Sequence, residues 1–143
     1  MFRRDFITRE IEIFVRSLAQ ILLKKENNEL EDALVGIRNT STELIGLDID
    51  FLKTLPIESI MYLLNVNGTI DPGKCYILAE LLRQEAEINE TLNKEGTRDL
   101  YDKSLFLYRT LENELSKKDE VAVSEELEVS VKEAVKNLEE KLK

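Results

Sequence analysis

The side chains of this chain whose types and spacing could carry chemistry are few: the aspartates Asp48 and Asp50, the single cysteine Cys75, and the tyrosines Tyr76, Tyr101 and Tyr108. Carboxylates two residues apart can hold Mg²⁺ or Ca²⁺. No further ligand spacing follows Asp50, however, and no glycine marks an EF-hand loop, so a helix cap beside a solvated acid explains the pair as well. Cys75 stands at the start of an expected helix, where the local field lowers a thiol pKa and favours a nucleophile. The chain contains no histidine to serve as its base, and a packed thiol is the competing reading. The same absence of histidine excludes a Ser-His-Asp triad and histidine metal sites. Glycines 36, 46, 68, 73 and 96 are isolated, so no phosphate-cradling loop is present. The three tyrosines can line a ligand cleft or fill a core, and their helical spacing favours the core. No catalytic residue, metal ligand or cofactor is therefore assigned, and the chain reads as a non-enzymatic protein.

Composition narrows the partners. The net charge of −9 and pI near 4.7 oppose binding to nucleic acid and to anionic membranes. The basic pairs Arg3-Arg4, Lys24-Lys25 and Lys117-Lys118 all have acids nearby. One cysteine allows no internal disulfide and fits a reducing compartment. The opening MFRRDFITRE lacks the apolar core of a signal peptide, and no stretch approaches the roughly 20 apolar residues of a membrane span. A cytoplasmic location is expected. An apolar share of 43% is globular. Scarce Gly and Pro, abundant Leu, Glu and Lys, and no alternating β-branched runs point to an all-α fold.

The elements that would position these residues are helical hairpins. Asp71 is a good N-cap and Pro72 the favoured first helical residue, with Ile70 and Cys75 spaced for a hydrophobic staple. A helix from Pro72 to about Asn93 carries Leu78, Ala79, Leu81, Leu82, Ala86 and Ile88. A turn at 94–96 returns the chain through Leu100, Tyr101, Ser104, Leu105, Tyr108, Leu111 and Leu115. An earlier hairpin spans Asp5 to about Ile45. Its first helix is expected to be capped by Asp5 and to pack Ile7, Ile11, Phe14, Val15, Leu18, Ile21 and Leu22. Its second helix packs Leu30, Ala33, Leu34, Ile37, Ser41, Leu44 and Ile45, and ends at Gly46. Between the hairpins lies a helical elbow. Asp48 caps a short turn holding Phe51, Leu52 and Leu55, and Pro56 opens a helix whose face is Ile57, Ile60, Met61 and Leu64. Residues 65–68 form a loop. A polar hinge, 116–120, leads to a last helix begun by Ser124, with the narrow stripe Leu127, Val131, Ala134, Val135, Leu138 and Leu142. The expected organisation is a helical-hairpin domain over 1–116, then a hinge and C-terminal helix over 117–143. That helix can pack on the same domain, on a second copy, or on a foreign helix.

The central hairpin resembles tetratricopeptide-type repeats, in which stacked helix pairs share a core. Leu82 and Ala86 stand where the repeat favours a large and then a small residue, and Thr97, Tyr101 and Ser104 where it favours small, aromatic, small. The segment Leu100-Tyr101-Asp102-Lys103-Ser104-Leu105 is the nearest match, and Ala33 and Ile37 fill analogous places in the first hairpin. Glu85 and Asn89 depart from the pattern, which has an apolar residue and a tyrosine there. The chain as a whole is similar to a family of bacterial proteins, mostly from Firmicutes, with tetratricopeptide-like helical folds and no assigned activity. The features that carry this are Arg4-Asp5-Phe6-Ile7, Gly46-Leu47-Asp48 and Gly68 followed by Asp71-Pro72. The resemblance implies a concave groove lined by the first helix of each hairpin. This nominates Arg16, Gln20, Arg83, Glu87 and Glu90 as partner-binding residues, against the alternative of an ordinary solvated face.

The expectation is thus a protein-interaction or scaffold module. Its rivals are a homo-oligomer joined through Leu127, Val131, Val135, Leu138 and Leu142, and a carboxylate-based metal enzyme around Asp48 and Asp50.

Overall fold

The computed structural model describes residues 4–116 and 125–143. Seven α-helices and one two-stranded hairpin among these residues make the fold all-α. Helix α1 (Arg4–Glu26) and α2 (Leu30–Thr40) form the first hairpin, turning at Asn27-Asn28 with Asn28 at φ 60°. Because α1 already includes Arg4, Asp5 lies within the helix and does not cap it. The two helices approach closely at Gly36, where a Cβ would sit 3.0 Å from Ile21 Cγ1. The second helix does not run evenly to Ile45. Its last turn, Ser41–Ile45, widens to a π-turn in which the Gly46 N–H donates to the Ser41 carbonyl at 3.1 Å. The buried Ser41 hydroxyl donates to the Leu47 carbonyl at 2.6 Å, tying the departing chain to the turn it has just left.

The elbow consists of α3 (Ile49–Leu52), α4 (Ile57–Leu64) and the strands β1 (Asn65–Val66) and β2 (Thr69–Ile70). Asp48 caps α3 by accepting the Asp50 N–H at 2.9 Å. The buried residues of α3 are Ile49 and Leu52, whereas Phe51, expected inside, is 52% exposed. A single helical turn has room for one buried edge, and Ile49 and Leu52, three apart, occupy it. Ile60 and Leu64 of α4 are buried and Ile57 and Met61 pack on the core as expected. The stretch expected as a loop is a tight hairpin turning on Asn67-Gly68, with φ of 53° and 86°. Asn and Gly are the two residues that adopt this conformation most readily, and they give a turn whose twist matches antiparallel strands.

Helix α5 (Pro72–Thr91) is the axis of the molecule, packed by α1, by α2 and its π-turn, and by α6 (Thr97–Leu115). The Asp71 carboxylate accepts the Lys74 N–H at 3.1 Å, as an N-cap does. Burial runs right round α5: Ile77, Leu78, Leu81, Leu82, Ala86 and Ile88 are fully enclosed, and the polar Glu80, Gln84 and Glu85 are buried beside them. Small residues let α5 and α6 close tightly, and the Ser104 hydroxyl donates to the Ala79 carbonyl at 2.7 Å. Cys75 lies in the same seam with its thiol toward the Leu107 carbonyl at 3.3 Å.

Helix α7 (Glu125–Lys141) packs on α6 of its own chain. Leu127, Val131, Ala134, Val135 and Leu138 are buried there and Leu142 half-buried, so the stripe offered to a second copy or a foreign helix is covered in cis. A seam this narrow is filled by one neighbouring helix. The hinge and the Ser124 cap lie outside the described residues, apart from Ser116, and so does the expected domain boundary.

Candidate functional site

The residues nominated for a concave face do not form one surface. Arg83, Glu87 and Glu90 share a groove of about 320 Å³ with Lys25 of α1, Tyr101 of α6 and Asn137, Leu138 and Lys141 of α7. An adjoining hollow of about 350 Å³ again uses Glu90, Tyr101 and Lys141. Arg16 instead lines a separate groove of about 530 Å³ between α1 and the start of α7, with Thr8, Ile11, Glu12, Val15, Glu126 and Leu127. Gln20 is exposed on α1 and lines none of these grooves.

The first groove is stitched by its own charges. The Lys25 ammonium donates to Glu87 and, at 2.6 Å, to Gln84. Arg83 lies 3.5 Å from both Glu80 and Glu87. Glu90 pairs with Lys141 at 2.7 Å and accepts from the Tyr101 hydroxyl at 3.3 Å; the Lys141 hydrogen bond holds its pKa below the ordinary value. Lys141 also lies 5.7 Å above the Tyr101 ring. The buried Glu80 carboxylate accepts from Tyr108, from Gln84 at 2.6 Å and from Arg83. Burial raises the Tyr108 phenol well above its usual pKa, and Glu80 adds to the effect. The three tyrosines are therefore structural. Tyr108 and Tyr101 are buried, and Tyr76 stacks edge-on between Phe14 and Tyr108 at 5.6 and 6.2 Å. This web ties α1, α5, α6 and α7 together.

The side chains with possible reactivity are equally engaged. Asp48 is occupied as a cap, and Asp50 pairs with Lys53 at 2.9 Å. Among the described residues no group of three or more Cys, Asp or Glu is placed to hold a metal ion. Burial pushes the Cys75 thiol up to about 12, with Asp71 and Glu114 adding to it, the reverse of nucleophile activation. Glu85 is 3% exposed and meets Lys53 of the elbow at 2.6 Å. Burial pulls the Lys53 ammonium down, but its bonds to Glu85 and Asp50 outweigh this and the net shift is upward. The elbow is thus fastened to α5 by an ion pair whose carboxylate is buried and whose ammonium is partly exposed. Glu10 of α1 approaches the first turn of α5, and a Cβ on Gly73 would lie 1.9 Å from its Oε1. That oxygen is buried without a hydrogen-bond partner, and burial, reinforced by Asp71 and opposed by Lys74, raises the carboxyl to about 7.

One open apolar surface lies on the elbow. Leu55, Pro56 and Ile57 face Phe106 of α6 across a groove of about 520 Å³, rimmed by Thr54, Asp99, Asp102 and Lys103. Phe106 is 45% exposed. Lys103 is already engaged by Asp99 at 2.8 Å and by the Lys53 carbonyl at 2.9 Å, so the charge on this rim with no ion-pair partner among the described residues is Asp102. Tyr62, Leu63 and Val66 of the same elbow are exposed as well. Periodicity could not single out this groove, because its two walls come from elements about 45 residues apart; the apolar run around Pro56 was its one local signal. Comparison with protein-family models, with curated proteins and with solved structures found no match to this chain.

Proposed function

We propose that this chain is a non-enzymatic protein-interaction module that takes an apolar segment of another protein into its elbow groove. The observation that carries this reading is the half-exposed Phe106 facing Leu55, Pro56 and Ile57 across an open groove with an acidic rim. An apolar floor that excludes water, with charge at its edge, is how interaction surfaces combine affinity with selectivity. Asp102 favours a segment that carries Lys or Arg beside its apolar anchor. The helical-hairpin architecture supports the same reading, as does the resemblance to tetratricopeptide-like proteins of Firmicutes. Under that resemblance the module works in the bacterial cytoplasm, and no described helix is long and apolar enough to cross a membrane.

A photo-crosslinking residue at position 106, introduced in the native cells, tests this. The expected result is a discrete heavier adduct that disappears when Ile57→Glu is added and that is not formed by the same residue at Lys132. Adducts identical at 106 and 132, or none at 106, would remove the elbow from consideration. Phe106→Glu is expected to change stability by about 0.5 kcal/mol or little more, since its site is partly open to solvent, and Ile57→Glu to cost more, about 1 kcal/mol, because Ile57 also packs on the core.

A further inference from the structure

The outer face of α1 is too apolar for a surface helix. Val15 is 50% exposed and Leu22 41%, and Ala19 between them is exposed as well. With Thr8 and Ile11 they form a stripe at three- and four-residue spacing, beside the Phe14 and Ile21 edge that enters the core. The stripe runs from Thr8 to Leu22, a length of roughly 20 Å at the helical rise. Its N-terminal half forms one wall of the groove against Glu126 and Leu127 of α7. Glu12 and Arg16, one turn apart, flank it on a single edge, and neither has an ion-pair partner among the described residues.

We infer that this face pairs with the same face of a second copy, α1 antiparallel to α1 about a two-fold axis near residue 14. The charges select this occupant. In an antiparallel pair related by a two-fold axis, like edges meet, and an axis at residue 14 sets Glu12 of one copy beside Arg16 of the other, twice. One acid and one base on the same edge are thereby both neutralised, and Ile11 and Val15 interdigitate with their counterparts. A strongly basic or strongly acidic partner would satisfy one of the two charges and oppose the other. This inference rests on α1 alone and does not depend on the elbow groove.

Sedimentation velocity of the full chain over a dilution series tests it. A dimer at micromolar concentration is expected, with Val15→Glu reducing it to monomer while far-ultraviolet circular dichroism stays unchanged. Arg16→Glu alone is expected to weaken the dimer at least tenfold, and Glu12→Arg combined with Arg16→Glu to restore it, because the swapped pair is again self-complementary. A spin label at Ala19→Cys then gives a single short inter-copy distance. A monomer at all concentrations would overturn the proposal. So would a dimer indifferent to both Val15→Glu and Arg16→Glu, or a double charge swap no better than the single change.

Discussion

Helices α1 and α7 both lie on the outside of the molecule, and their outer faces have opposite character. On α7 the exposed positions include Glu125, Glu126, Lys132, Glu133, Lys136 and Glu140, and Val129 is its one large apolar exposure. On α1 the exposed positions include Ile13, Val15, Leu22 and Leu23. Read as sequence, the narrow stripe of α7 suits its own domain, a second copy or a foreign helix, and the wide apolar arc of α1 is a core face. The structure covers the α7 stripe in cis and buries Phe14 and Ile21 of the α1 arc, but it leaves Val15 and Leu22 of that arc exposed. A narrow stripe is covered completely by one neighbour, α6, whereas a wide arc extends past what α2 and α5 can cover. The amount of apolar surface on a helix matters less than the excess over what its neighbours shield.

Equivalent changes on the two helices sharpen this comparison most. Leu138→Glu on α7 places a charge at a site 2% exposed and is expected to cost about 3–4 kcal/mol in urea unfolding. Leu22→Glu on α1 is expected to cost under about 0.5 kcal/mol in the monomer. Equal costs would mean that α7 is not held in cis, or that α1 is covered by its own chain. Next in size is the clasp that seats the elbow. Lys53→Met leaves the buried Glu85 carboxylate without its cation, and a loss of about 3 kcal/mol is expected. Adding Glu85→Leu to that variant is expected to recover most of it, since an apolar pair of similar volume can replace a buried ion pair. Absence of recovery would show that Glu85 has a further role.

A smaller effect than that of the clasp concerns how α1 is held against α5. The Glu10 carboxyl is raised from 4.5 to about 7 in the folded chain, so the fold holds a proton there that the unfolded chain has released. The contribution is present in full below pH 4.5 and is lost as pH rises through about 7. Glu10→Gln is expected to leave stability near pH 5 almost unchanged. Near pH 8 it should raise stability by about 1 kcal/mol, a value discounted for partial exposure and for the opposing field of the α5 N-terminus. Thermal melts of the two proteins across this range read the difference. Parallel curves would mean that Glu10 is ionised and solvated.

Much of this fold is legible in local residue patterns because it depends on them. The Asp71-Pro72 start of α5, the Gly46 terminus and the apolar positions of α2, α6 and α7 lie where their spacing puts them. Each is decided within a few residues by a cap, a left-handed position or a 3.6-residue period. The Asn67-Gly68 turn is equally local, yet its two-residue strands show no alternation that separates them from a loop. The candidate sites were much less legible. Arg83, Glu87 and Glu90 are neighbours on one helix, but only the tertiary structure brings Lys25 and Lys141 to them and turns a solvated face into an ion-paired web.

By itself, then, the order of residues determined the helices, their caps, their apolar edges and the absence of histidine-based chemistry, since these follow from short-range geometry and from composition. The tertiary structure decided which apolar edge is covered and which stays open. It also made Glu85 a buried partner for Lys53 and placed Phe106 across from Leu55, Pro56 and Ile57. Those outcomes turn on which helices stand next to one another, and no periodicity within a single helix encodes the width of its neighbours.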